Sequence, residues 1–241
     1  MTGSRQISRR AVLSLFAFVI AASAGARIIF GGRPFDRVRS EPPRPVDTTT
    51  SWAFFTSIEA AMVEAIVDRL IPTDELGIGG RDAGCAVFID RQLAGAYGQS
   101  AVWYLAGPAT AGTPQQGPQF TNSIADRYRL GLAALDRHCR MRPGGKAFAS
   151  LAPAEQDALL GRLEDGTASL EGFDGKALFD QLLKNTREGY FADPLYGGNR
   201  DMAGWKMIGF PGARYDYRDM IGRRGEDLGL VPVSIYGQGL V

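Results

Sequence analysis

Few side chains in this sequence combine a reactive type with a spacing that chemistry could use. His138 is the one histidine, the residue type that titrates near neutrality unperturbed and the natural general base. It falls at the expected end of a helix, where the dipole favours a cation, and so reads as structural. Asp193, Asp201, Asp216 and Asp219 offer carboxylates close together, but no histidine accompanies them, and salt bridges to Arg200, Arg214 and Arg218 are their expected use. Gly77-Ile78-Gly79-Gly80 has the look of a phosphate loop. It follows a helix rather than a strand, however, and Asp82 stands where the third glycine of a G-x-G-x-x-G pattern belongs. With two cysteines and one histidine, one copy of the chain cannot assemble a Cys-x-x-Cys-His haem attachment, a structural zinc site or a four-thiolate iron–sulfur cluster. The expectation is therefore no catalytic, cofactor-binding or metal-binding residue in this chain.

The elements that would position these residues begin after an unusual amino terminus. Residues 1–10 carry three arginines and no acid, and Ala11 to Ala22 is almost wholly apolar, shorter than the ~20 residues needed to span a bilayer. This is the shape of a signal peptide. Ser8-Arg9-Arg10-Ala11-Val12-Leu13 matches the twin-arginine export pattern, which makes Arg9 and Arg10 the export signal and the periplasm the destination. Ala22-Ser23-Ala24 and Ala24-Gly25-Ala26 both fit a cleavage site, so residues 1–26 are assigned to the signal; an uncleaved anchor running on to Phe30 is the alternative. The 27 basic and 26 acidic residues give a net charge of +1, and removal of residues 1–24 turns this into −2. That balance does not suit a nucleic-acid-binding protein.

Residues 27–50 are rich in Pro, Arg and small polar residues and read as an extended linker. Residues 51–241 form the domain proper, with a mainly helical core of about five helices and long irregular connections. Thr56-Ser57-Ile58-Glu59 is a capping box opening a helix that Pro72 ends. Asp82 is placed to cap a second, whose Cys85, Phe88, Ile89 and Leu93 form an apolar face. The segment 95–119 is long and irregular and needs something to pack on, another chain being one candidate. A third helix is expected over 122–138, a fourth from Pro153, and a fifth over 175–188 with Gly189 as its carboxy-terminal cap. No alternating strand pattern precedes residue 200. Residues 189–219 then interleave seven aromatics with six glycines, which no helical period survives. This segment is expected to present Tyr196, Trp205, Phe210, Tyr215 and Tyr217, with Arg200 and Arg214, to a partner; simple burial is the alternative for each aromatic.

The segment FADPLYGGNRDMAGWKMIGFPGARYDYRD resembles the small subunit (subunit 3, or gamma) of membrane-bound gluconate 2-dehydrogenase. So do Leu70-Ile71-Pro72-Thr73-Asp74, Phe88-Ile89-Asp90-Arg91-Gln92-Leu93 and Pro153-Ala154-Glu155-Gln156-Asp157-Ala158-Leu159-Leu160, in the same order over roughly residues 51–241. The resemblance implies a complex at the periplasmic face of the inner membrane. In it an FAD-containing large subunit oxidises a sugar acid or polyol, and a multihaem cytochrome c subunit, carrying haem c, passes electrons to quinone. The small subunit would be a non-catalytic accessory that stabilises the flavoprotein, carries it through twin-arginine export and is membrane-associated through the complex. A free-standing periplasmic enzyme using carboxylates and arginines is the competing reading. Cys85 and Cys139 are a candidate disulfide in that oxidising compartment, closing a loop of about 50 residues and contributing about 3–4 kcal/mol by chain entropy; two buried thiols are the alternative.

Overall fold

The computed structural model describes residues 45, 51–101, 110, 112–116, 121–214 and 216–235. Arg9, Arg10, Tyr215 and all of the linker but Pro45 lie outside them. Among the described residues there are six α-helices: α1 (Ser57–Leu70), α2 (Cys85–Ala94), α3 (Ile124–Arg140), α4 (Pro153–Glu164), α5 (Gly175–Phe191) and α6 (Ala203–Met207). They contain no extended strand, only three isolated bridges. The mainly helical architecture is thus as the sequence indicates, with one short helix more.

Helix starts follow local chemistry. The Thr56 hydroxyl accepts the Glu59 N–H while the Glu59 carboxylate accepts the Thr56 N–H, so α1 opens on a complete capping box. Ser123 and Asp126 repeat the arrangement at α3. Pro153 occupies the first turn of α4, and the Glu155 carboxylate accepts the N–H of Ala152 at 3.0 Å. Asp174 caps α5 by accepting the N–H groups of Lys176 and Ala177. Asp82 does not cap α2. That position is taken by Gly84 in the left-handed region (φ 81°), where an added Cβ would lie 2.6 Å from the Gly197 carbonyl oxygen.

Helix α5 is the central element, packed against all five others. Leu178, Phe179, Leu182 and Tyr190 are buried along it. Gly189, expected to end this helix, lies inside it, and a Cβ there would come within 2.9 Å of Phe88 Cδ1. Its role is to let α2 approach. Gly131 on α3 does the same for Leu178. A buried polar cluster also ties the core: Tyr128 donates to Asn185 Oδ1 at 2.8 Å, and Asn185 Nδ2 donates to the Tyr97 hydroxyl at 2.8 Å.

Two irregular segments are held by the same body. The described start of the 95–119 segment packs on its own chain, since the N–H groups of Ile124 and Ala125 donate to Ser100 Oγ and the Gly98 carbonyl. Residues 53–55 are clamped by Asp90, a fully buried carboxylate on α2 that accepts the N–H groups of Ala53, Phe54 and Phe55 at 2.8–2.9 Å. Arg91 donates to the same carboxylate at 2.6 Å. Arg129 adds a second clamp, pairing with Glu59, donating to the Phe54 carbonyl and stacking 3.9 Å over the Phe54 ring. Burial alone would push the Glu59 pKa up, but the hydrogen bonds from Arg129 and Thr56 with the Arg129 charge hold it below its ordinary value.

Candidate partner-docking face

The C-terminal third is folded onto the end of α5 by contacts that only particular residues permit. Gly198 passes so close to α5 that a Cβ would lie 2.2 Å from the Gly189 carbonyl oxygen, and Gly204 stands equally close to that of Tyr190. Between them, Asn199, Asp201 and Met202 all adopt left-handed backbone angles (φ 47°, 56° and 56°), a conformation that costs non-glycine residues energy. Asn199 stabilises this turn from inside. It is fully buried, donates to the Ala192 carbonyl at 2.8 Å and accepts the Gly204 N–H at 2.8 Å. Asp193 then pins the distant tail: it accepts the Leu195 N–H, the Ser234 hydroxyl at 3.0 Å and the Ile235 N–H at 2.8 Å. Val233 bridges to Gly212 in the same layer.

This scaffold divides the expected partner-binding residues. Tyr196 (39% exposed), Phe210 (43%) and Tyr217 (42%) stand out from the surface, and Arg200 is exposed as well. Trp205 does not. It is 5% exposed, donates its ring N–H to the Phe191 carbonyl at 2.8 Å and meets Phe210 edge-on at 5.2 Å. The tryptophan anchors this segment to α5, because burying its large ring satisfies the segment's own need for a core. Arg214 is half-buried, with Nη2 donating to the Val231 carbonyl at 2.7 Å. Residues that the sequence pattern did not single out add to the exposed apolar side chains of this segment. Of thirteen exposed large hydrophobic side chains among the described residues, nine lie between Phe191 and Ile235. Ile208, Ile221, Val231 and Ile235 are each more than half exposed. Aromatic interleaving does not reveal these aliphatics, although Met207-Ile208-Gly209-Phe210 signals itself as an apolar run beside a glycine.

The remaining candidates resolve into structural roles. Asp216 pairs with Arg218, which holds its carboxyl below the usual range. Asp193 serves the tail instead of an arginine. In the Gly77–Gly80 turn, the Gly79 N–H is taken by Thr73 Oγ1 and the Gly80 N–H by the Ile71 carbonyl, at 2.8 and 2.7 Å. Those glycines let the turn press on the end of α1, and the two N–H groups are spent internally rather than on a phosphate. Cys85 and Cys139 are separate buried thiols, not a bridge. Burial pushes their pKa values up to about 12 and about 11, which disfavours the reactive thiolate. No group of three or more potential metal ligands occurs among the described residues, and none of their helices is long and apolar enough to cross a membrane.

No curated protein and no solved structure matches the chain. The family model described as gluconate 2-dehydrogenase subunit 3 matches residues 57–212, from the first residue of α1 to the glycine that meets Val233. The match spans well over half of the sequence and takes in both the helical core and the strained turn at 199–202, and the chain belongs to the gluconate 2-dehydrogenase subunit 3 family.

Proposed function

We propose that this chain is the non-catalytic small subunit of a membrane-bound dehydrogenase that oxidises a sugar acid or polyol. It binds and stabilises an FAD-containing large subunit through its C-terminal third. The complex passes electrons to a multihaem cytochrome c subunit at the periplasmic face of the inner membrane. Arg9 and Arg10 direct the export of the folded pair.

The observation that carries the docking reading is the concentration of exposed apolar side chains between Phe191 and Ile235. Exposed apolar surface on a rigid scaffold marks a contact for another macromolecule, and a permanent partner buries a large area of it. The scaffold is rigid because Asn199, Asp193 and Trp205 spend their polar groups on holding this segment to α5.

The test is purification of the tagged chain, co-expressed with its genomic neighbours, from solubilised membranes. Wild type should bring down a flavin-containing large subunit and a haem-containing cytochrome. Ile208→Asp and Tyr217→Ala alter exposed positions and should reduce recovery of the large subunit about tenfold, the effect of losing roughly 1.4 kcal/mol of binding. Full recovery with both variants would remove this face from the interface. A colourless lone chain from cells expressing the neighbours would overturn the accessory role and favour a free-standing enzyme.

A further inference from the structure

Away from the docking face, a surface cavity of about 480 Å³ opens at the C-terminal end of α3, lined by Arg137, His138, Met141, Arg142, Ser169 and Glu171. Its volume is that of a small-molecule site. Two guanidiniums and an imidazole confront a single carboxylate across it. Two guanidiniums at this end are already engaged: Arg140 pairs with Asp136 at 2.8 Å, and Arg137, itself in the lining, donates from Nη2 to the Glu171 carbonyl at 3.2 Å. Arg142 differs, since its Nη1 is buried and has no hydrogen-bond partner among the described residues.

The α3 dipole explains why cations gather at this end. It leaves Arg142, which lines the cavity, with no side-chain hydrogen bond or ion pair among the described residues, so an anion entering the cavity meets an uncompensated charge. The local field agrees. Burial and the charges of Arg142 and, from α4, Arg162 hold the His138 pKa below its ordinary value, with a backbone hydrogen bond to Ser169 acting in the opposite sense. An anion placed here would gain from all of these groups together.

We propose that this cavity binds a small organic anion, its carboxylate or phosphate head accepting hydrogen bonds from Arg142 and Ser169, and from the second ring nitrogen of His138 as binding protonates it, and its body lying along the exposed Met141. The volume exceeds what an inorganic ion fills, which is why the ligand is organic. Arg142 recognises the head and Met141 provides apolar cover. This site is independent of the docking face and of the partner that face receives.

Because His138 is the chain's only histidine, its ring protons give an unambiguous NMR signal. The purified untagged chain is titrated with benzoate, with phenyl phosphate, and with sodium chloride at matched ionic strength. Saturable movement of the His138 signals by benzoate identifies a carboxylate head, and by phenyl phosphate a phosphate head. Either should raise the His138 pKa by roughly half a pH unit or more, since a nearby anion favours the imidazolium. Arg142→Gln should weaken binding at least about tenfold, by loss of a charge-assisted hydrogen bond. Should that variant misfold, Ser169→Ala changes an exposed side chain and should weaken binding severalfold with an unchanged circular dichroism spectrum. A response to both probes no greater than that to chloride, or wild-type binding by a folded Arg142→Gln or Ser169→Ala variant, would overturn the site.

Discussion

Asp90 is a fully buried carboxylate in the middle of an otherwise apolar helix face, and it is tolerable there because three backbone N–H groups and Arg91 surround it. Removing it leaves those donors without a partner in a partly buried place. Asp90→Ala should therefore destabilise the chain by about 3 kcal/mol, read from urea unfolding followed by circular dichroism. Residues 51–55 should also become sensitive to protease. An unchanged urea midpoint would mean that the clamp contributes nothing. Residue-scale features of this kind are only partly legible in a sequence. Asp90 sits beside Phe88 and Ile89 as an acid within an apolar stripe, which is a visible anomaly, but apart from the adjacent Arg91 its partners are backbone N–H groups more than thirty residues away, and nothing local names them. Trp205 carries the opposite lesson. An aromatic in a glycine-rich loop suits an exposed anchor as well as a buried one, and the choice was made by the Phe191 carbonyl that its ring N–H reaches.

At the scale of elements, helix starts were readable and helix ends less so. Thr56, Ser123 and Pro153 act through bonds to residues within three positions, so the pattern contains the whole interaction. Gly189 does not. A glycine near the end of an apolar stripe suits a cap, yet α5 runs on to Phe191 because Gly189 is needed where Phe88 of α2 crosses. Gly189→Ala raises helix propensity by about 1 kcal/mol and would stabilise a free helix. In the protein it should destabilise by about 1–3 kcal/mol, because the new methyl group meets the Phe88 ring at 2.9 Å. The melting temperature decides between the two: a rise would show that α2 can move away at no cost.

For the whole molecule, the proposed export role makes a prediction that neither subunit could show alone. Replacing Arg9 and Arg10 together by lysine should leave both this chain and the large subunit in the cytoplasm, with loss of most periplasmic dehydrogenase activity, as measured by fractionation and immunoblotting. Normal export of the large subunit in that strain would show that it carries its own route out. The sequence by itself determined the helical class, the sites where most helices begin and the family motifs, because each of these rests on residues close together in the chain. Tertiary structure alone decided that Trp205 is buried and Ile208 exposed, that Cys85 and Cys139 stay separate, that Asp193 holds the tail, and that Arg142 and His138 share a cavity with Ser169. Burial, close approach and a shared electrostatic field are properties of neighbours in space, and here those neighbours come from helices and loops that the sequence keeps far apart.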